Sequence, residues 1–357
     1  MHLIDKLENQ ERLSFEDGIA LYELDLFTLG KHANLQRRQR HANKAFFNIN
    51  RHINPTNICK DICKFCAFSA NRKNPNPYTM SHDEILSILA NSVHNKGITE
   101  VHIVSAHNPD TGLEWYLEIF SKIKERFPSL HVKALTAAEI HFLSEYYGLS
   151  VDAVIEKMLE YGVDSMLGGG AEIFDEAVRA YICKGKVSSK DWLAIHQKWH
   201  EKGRQSNATM LFGHVEKREH RIDHMIRLRD LQDKTGGFNA FIPLVYQREN
   251  NYLHVEDFLS STEILKTYAI SRLMLDNIAH IKAYWATSTI NLALVALEYG
   301  ADDLDGTIEA EAIQSAAGAQ SAKGLSLETF LELIETSGFV PVQRDSLYNE
   351  IKTYKRS

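Results

Sequence analysis

A (β/α)8 barrel of the TIM type, an α/β fold with N-terminal and C-terminal helical extensions, is the architecture this sequence predicts. Three observations carry it. Eight short strand-like segments alternate with helical patterns. Glycine and polar residues collect directly after those strands. No internal repeat, low-complexity tract or linker divides the 357 residues, which are 44% hydrophobic and 24% charged with seven prolines, so one large core is within reach. The divisions that follow are 1–45 as the N-terminal extension, 46–310 as the barrel and 311–357 as the C-terminal extension.

Taken in order, residues 14–45 read as helical: Ser14 and Asp17 form a capping box, and Ile19, Leu21, Tyr22, Leu24, Leu26, Phe27 and Leu29 give a broad apolar face. AFFNINRHIN (45–54), aromatic and β-branched, is the first strand. A helix over 81–96, opened by the Ser81/Glu84 capping box, leads to the second strand, TEVHIVSA (99–106). Leu113, Tyr116, Leu117, Phe120, Ile123 and Phe127 mark the next helix, and LHVKALT (130–136) the third strand. Residues 137–161 are helical with a break near Gly148, and VDSML (163–167) runs into Gly168, Gly169 and Gly170. Helices over 175–183 and 189–202 precede SNATML (206–211); a helix over 216–234 precedes NAFIPL (239–244). A helix over 261–274, the strand NIAHI (277–281), a helix over 286–299 and the strand ADDLD (301–305) complete the series. The tail from 306 reads as mostly helical, with Ser326 as a cap.

A net charge of -7 argues against a nucleic-acid or anionic-membrane footprint. The one basic run, QRRQRH (36–41), reads as a solvated helix face. MHLIDKLENQ has no basic stretch followed by an apolar one, and no window approaches eighteen apolar residues, so the expected location is the cytoplasm.

INPTNICKDICKFCAF (53–68) holds Cys59, Cys63 and Cys66 at C-x3-C-x2-C, and the only other cysteine is Cys183, read as a small buried hydrophobe. In a reducing compartment such a group is a metal or redox site rather than a disulfide framework. Structural zinc takes four ligands, usually in paired units, whereas three thiolates on one loop can hold three irons of a cubane and leave the fourth open. The competing reading is a zinc staple in a binding protein, completed by a histidine such as His52.

The spacing, with Phe65 just before the third cysteine and the loop placed after the first barrel strand, resembles the radical S-adenosylmethionine superfamily. That resemblance implies a [4Fe-4S] cluster held by Cys59, Cys63 and Cys66, with S-adenosylmethionine chelating the open iron. NRHINPTNIC, GGGAEIFDEAVR, ATMLFGHVEKREHRIDHMIRLRDLQDKTGGFNAFIPL and GADDLDGT are similar, over nearly the whole chain, to the menaquinone (futalosine) pathway branch. FIPLVYQRENN and DDLDGT look more like that branch's synthase, which joins the 5'-deoxyadenosyl group to 3-[(1-carboxyvinyl)oxy]benzoate, than like its cyclase acting on dehypoxanthine futalosine. The resemblance implies an aryl enol-ether dicarboxylate as substrate and a reducing partner such as flavodoxin or ferredoxin. It leaves room for a homodimer, with no nucleic-acid or membrane partner.

In such barrels the site lies at the carboxyl ends of the strands. Cofactor contacts are expected from Phe65, from Ser105 after the second strand, from Glu139 after the third, and from Gly169, Gly170 and Glu172 after the fourth. Glu139 equally completes a capping box with Thr136, and the glycines equally form a tight turn. SAHN stands where the superfamily has a glycine-rich form. A dianionic substrate calls for cations, and Arg179, His214 and Lys282 are the expected carboxylate partners.

Overall fold

The computed structural model describes residues 3–308, 312–319, 321 and 324–354. Its strands are β1 (Lys44–Asn48), β2 (Asn50–Ile53), β3 (Glu100–Ile103), β4 (His131–Thr136), β5 (Ser165–Leu167), β6 (Ser206–Phe212), β7 (Phe238–Val245), β8 (His280–Ile281), β9 (Asp303–Gly306), β10 (Val340–Arg344) and β11 (Glu350–Thr353). β2 to β8 form one parallel sheet in sequence order. β1 and β2 are consecutive stretches of one strand interrupted at Ile49. β1 pairs with β9, and β9 meets the end of β8 through the parallel bridge Lys282↔Asp303. The sheet thereby curls back on its own first strand as a TIM-like barrel. Strands buried on both faces need continuous burial rather than alternation, and β6 is buried at all seven positions.

Helices fill each crossover, and local chemistry sets their limits. Ser81 accepts the Glu84 amide and Glu84 returns a bond to Ser81, opening the helix His82–Lys96. Thr136 and Glu139 do the same for Ala137–Tyr147, which ends at Gly148 with φ +64° before Val151–Glu160 starts on Ser150. The remaining crossovers carry Leu113–Arg126, Glu176–Ile182 with Ser189–Glu201, Arg218–Thr235, Ser261–Met274, and Trp285–Ser288 with Ile290–Ala296.

Three expectations change. The helix over 14–45 is two helices, Phe15–Leu21 and Leu26–His41, because Asp25 accepts the amides of Phe27 and Thr28 and so caps a new start. The basic run within it is not all solvated: Arg37 is fully buried and donates to the carbonyls of Ala42, Lys44 and Ala301. The tail, read as helical, contains Leu327–Thr336 but also β10, which pairs parallel with β1, and β11, antiparallel to β10. Pro341 disguised that strand, since proline weakens a strand reading except at an edge or strand start.

The tail also closes the amino-terminal end of the barrel. Arg344 Nε donates to Asp303 Oδ2 at 2.6 Å, and Ser346 Oγ donates to Glu100, which also bonds Asn48 Nδ2 and lies 2.5 Å from His102 Nε2. Arg272 and His280 both bind the buried carboxylate of Asp302 beside this end. The opening that remains faces the carboxyl ends of the strands.

Candidate active site

The loop after β2 carries the three cysteines, and main-chain bonds fix its course. Lys60 N–H donates to the His107 carbonyl at 3.0 Å, Lys64 N–H to Ile182 at 2.7 Å, and Ala70 N–H to Asn57 at 2.8 Å. Cys59, Cys63 and Cys66 are free thiols, each partly exposed, and all line one cavity of about 300 Å³. Burial pushes the Cys59 thiol up and the Cys63 thiol well above the ordinary range, so ionising them calls for a cationic group at the site. The Ser69 amide lies 3.4 Å from Cys66 Sγ, a donor placed for a thiolate.

Two ligands of one zinc ion, each about 2.3 Å away, lie no more than about 4.6 Å apart. Among the described residues, no group of three His, Cys, Asp or Glu donors mutually within 4.8 Å contains two of these cysteines. His52 instead groups with His102 and Asp305. Three thiols on one mouth of the cavity, too spread for one ion and backed by an amide donor, fit a multi-iron cluster better than a zinc staple.

All six expected cofactor contacts, Phe65, Ser105, Glu139, Gly169, Gly170 and Glu172, line this same cavity. Glu139 is 3% exposed and bound at both oxygens, Oε1 by the Ser105 amide and Oε2 by the Thr136 amide, each at 2.7 Å. Burial pushes its carboxyl up to about 7, against the two amides that favour its charge. Both sequence readings of Glu139 thus coexist, since it caps the helix and faces the cavity. Gly168 lies where a Cβ would meet Asn207 O at 2.5 Å, and Gly170 has φ +84° with Ala138 against it, so the turn requires glycine. Glu172, at φ +46°, holds the less favoured left-handed conformation, and Lys186 Nζ pairs with its Oε1 at 2.6 Å.

The expected carboxylate partners separate. Lys282 lines the cavity floor, where its ammonium pairs with Asp305. Burial alone would raise the Asp305 carboxyl, but Lys282 first, then His102 and His52, holds it well below the carboxylate range. Arg179 is buried away from the cavity, its guanidinium donating to the carbonyls of Gly170, Ala171, Ile173 and Val187; it braces the glycine turn from behind. His214 is also outside the lining, with Nε2 3.1 Å from the Leu211 carbonyl and Nδ1 3.2 Å from Glu216.

Other lining groups carried little sequence signal. His107 Nδ1 sits 2.8 Å from Asp61 Oδ2, and its ring stacks on Phe142 with centroids 5.0 Å apart. The loop position of both was visible; their pairing was not. Lys186 comes from the loop following Glu176–Ile182, a helix end rather than a strand end. Tyr246, Gln247 and Tyr284 follow β7 and β8 and complete the far wall with Ile242 and Leu244.

Residues 53–228 match the family description "Radical SAM superfamily", and residues 235–356 match "CofH/MqnC C-terminal region". The chain is 43% identical over 359 residues to the aminodeoxyfutalosine synthase of Thermus thermophilus, covering 99% of this chain and 96% of that one. It is 38% identical over 365 residues to the aminodeoxyfutalosine synthase of Streptomyces coelicolor, covering 99% and 94%. The cyclic dehypoxanthine futalosine synthase of Streptomyces coelicolor is also 38% identical over 354 residues, covering 98% and 88%. Among solved structures, methylornithine synthase superposes with a TM-score of 0.76 at 18% identity, covering 95% of this chain and 97% of that one, which supports the fold.

Proposed function

We propose that this chain, which belongs to the radical SAM superfamily, is an aminodeoxyfutalosine synthase of menaquinone biosynthesis. The observation that carries the reading is the 43% identity to a synthase over essentially both full lengths. Its cofactors are a [4Fe-4S] cluster and S-adenosylmethionine, which when bound supply a 5'-deoxyadenosyl radical for addition to 3-[(1-carboxyvinyl)oxy]benzoate, with rearrangement and decarboxylation.

This chain's residues bind, orient and exclude water. Cys59, Cys63 and Cys66 hold the cluster at the cavity mouth. Glu139, fixed by two amides, offers an acceptor to an ammonium or hydroxyl, and the Gly168–Gly170 backbone lets a ligand approach without a side chain between. Lys282, held by Asp305, is the cation for a substrate carboxylate at the floor. Leu167, Leu211, Ile242 and Leu244 supply apolar wall, which keeps water from a reactive centre. No helix among the described residues is long and apolar enough to cross a membrane. A reducing cytoplasm suits the thiols, and a one-electron carrier is the partner.

Anaerobically reconstituted, reduced protein is incubated with S-adenosylmethionine and the enol-ether benzoate, and products are resolved by mass. An adenine-containing adduct is expected. Free 5'-deoxyadenosine without adduct, accompanied by turnover of dehypoxanthine futalosine, overturns the reading.

A further inference from the structure

We infer that the ring carboxylate of the substrate, the one the reaction keeps, is clamped at the cavity floor between Lys282 and a protonated His102 that Glu100 holds in place. The inference rests on the synthase reading and says which end of that substrate goes where.

The reaction joins C5' to the vinyl carbon, so the vinyl end must face the cysteines, and the ring carboxylate at the other end of the molecule reaches the floor. Lys282 meets it there, but the lysine's charge is already matched by Asp305. The other lysine of the described lining, Lys186, is matched by Glu172. A dianion therefore finds no surplus cation on the chain, and taking its charge out of water calls for one more.

His102 is placed to supply it. It lines the cavity at 6% exposed, and its Nε2 lies 2.5 Å from Glu100 Oε1. Glu100 is fixed on both oxygens: Asn48 Nδ2 donates to Oε1, and Ser346 Oγ, from the tail behind the barrel, donates to Oε2. Burial alone would raise this carboxyl, but His102, then Arg344 and Lys133, hold it well below the carboxylate range, so it stays charged. A charged acceptor on Nε2 keeps a proton there, which leaves Nδ1 as the nitrogen for the cavity. On a neutral ring Nδ1 then offers only a lone pair, which repels a carboxylate; a second proton turns it into a donor. The entering carboxylate favours the imidazolium, so binding draws one proton from solvent onto Nδ1, and no other bond forms or breaks.

The remaining charged or titratable groups around the Glu100–His102 pair are His52 on β2, Lys133 on β4, Lys282 after β8, Asp305 on β9 and Arg344 on β10. Lys282 pairs with Asp305 and Arg344 with Asp303. Burial, with His102 beside it, holds the His52 imidazole down at about 3 and so neutral. Burial brings Lys133 down to about 8, which makes it, with Glu139 elsewhere in the cavity, a rival for the proton that the test must separate.

The test is calorimetry on reconstituted full-length protein with S-adenosylmethionine present and the cluster left oxidised, so that no turnover occurs. Two ligands are titrated: 3-[(1-carboxyvinyl)oxy]benzoate and 2-phenoxyacrylate, which lacks only the ring carboxylate. Each is run in two buffers of different ionisation heat at about pH 8, where a free imidazole is mostly neutral. The benzoate is expected to take up about half a proton or more per site, and 2-phenoxyacrylate none, with about tenfold weaker binding. His102→Gln and Glu100→Gln should each abolish the uptake and weaken the benzoate about tenfold, leaving 2-phenoxyacrylate within about twofold. The comparison of ligands on wild type needs no variant and stands if one misfolds. Uptake that persists in His102→Gln belongs to Lys133 or Glu139 and overturns the inference, as does equal uptake with 2-phenoxyacrylate. Binding of the benzoate without uptake sinks this inference alone; if neither compound binds, the synthase reading falls and the clamp with it.

Discussion

The main-chain amide of Ser105 donates to Glu139 Oε1 at 2.7 Å, so the loop after β3 and the first turn of the helix after β4 share one buried carboxylate. With the Thr136 amide on Oε2, that carboxyl is a brace between two strand ends as well as a cavity group.

Burial pushes the Glu139 carboxyl up to about 7, above its value in an unfolded chain. The stability it contributes is fully present below the unfolded value and is lost as pH rises through about 7. Between pH 5 and 9, ligand-free wild type should lose about 3 kcal/mol relative to Glu139→Gln. Denaturant titrations of both proteins across that range check it; parallel curves would contradict it.

Replacing Cys59, Cys63 or Cys66 by alanine should abolish cluster assembly, because each leaves one iron without its thiolate. Cys183→Ala, 2% exposed in the core, should retain iron and sulfide at the wild-type level. Iron and sulfide assays after anaerobic reconstitution distinguish the two classes.

At Gly168 an added methyl would lie 2.5 Å from Asn207 O and 2.9 Å from Ala208 Cα, which are backbone and cannot turn aside. Gly168→Ala must therefore part β5 from β6, at a cost of about 1–3 kcal/mol. A lowered Tm in the absence of any ligand is the readout, and an unchanged one would mean the strands yield freely.

Asp302 is fully buried with Arg272 and His280 on its carboxylate. Asp302→Asn strands the Arg272 guanidinium without a counter-charge and should cost about 3–5 kcal/mol. Burial alone would raise this carboxyl, but His280, His41 and Arg272 hold it well below the usual range, so its contribution is present at neutral pH and fades as acid protonates it. Equilibrium unfolding of the variant, with wild type followed into acid, measures both effects.

Lys282→Met leaves Asp305 buried without its cation, while Lys282→Met/Asp305→Asn removes both charges together. The double variant should fold better than the single one and still show a raised KM for the dianionic substrate, with S-adenosylmethionine affinity held. Steady-state kinetics beside direct binding of S-adenosylmethionine separates the two, and an unchanged KM removes Lys282 as the carboxylate partner.

Much of this protein was legible in one dimension because its signals are local. Strand and helix periods, capping boxes at Ser81 and Thr136, the turn glycines and the cysteine spacing each depend on residues a few positions apart. The barrel rule then placed Ser105, Glu139 and Glu172 in one cavity. The misreadings share a cause: an interaction from afar outweighed the local pattern. Arg179 follows the glycine turn and looked available to substrate, yet backbone carbonyls on both sides of its helix claim its guanidinium. β10 reads poorly as a strand and forms because β1 offers an unpaired edge about 300 residues earlier.

The sequence by itself determined the order of the barrel strands and their crossover helices, the three-thiol loop and the end of the barrel at which the chemistry gathers, since these follow from short-range pattern and chain direction. Only the tertiary structure decided which cations face the cavity, that Asp61 and His107 pair beside Cys59, and that the main chain of Lys64 ties the cysteine loop to Ile182 and Tyr252. Those outcomes depend on contacts between segments far apart in the chain, as Lys64 is from Ile182 and Tyr252, and such contacts exist only once the sheet has curled upon itself.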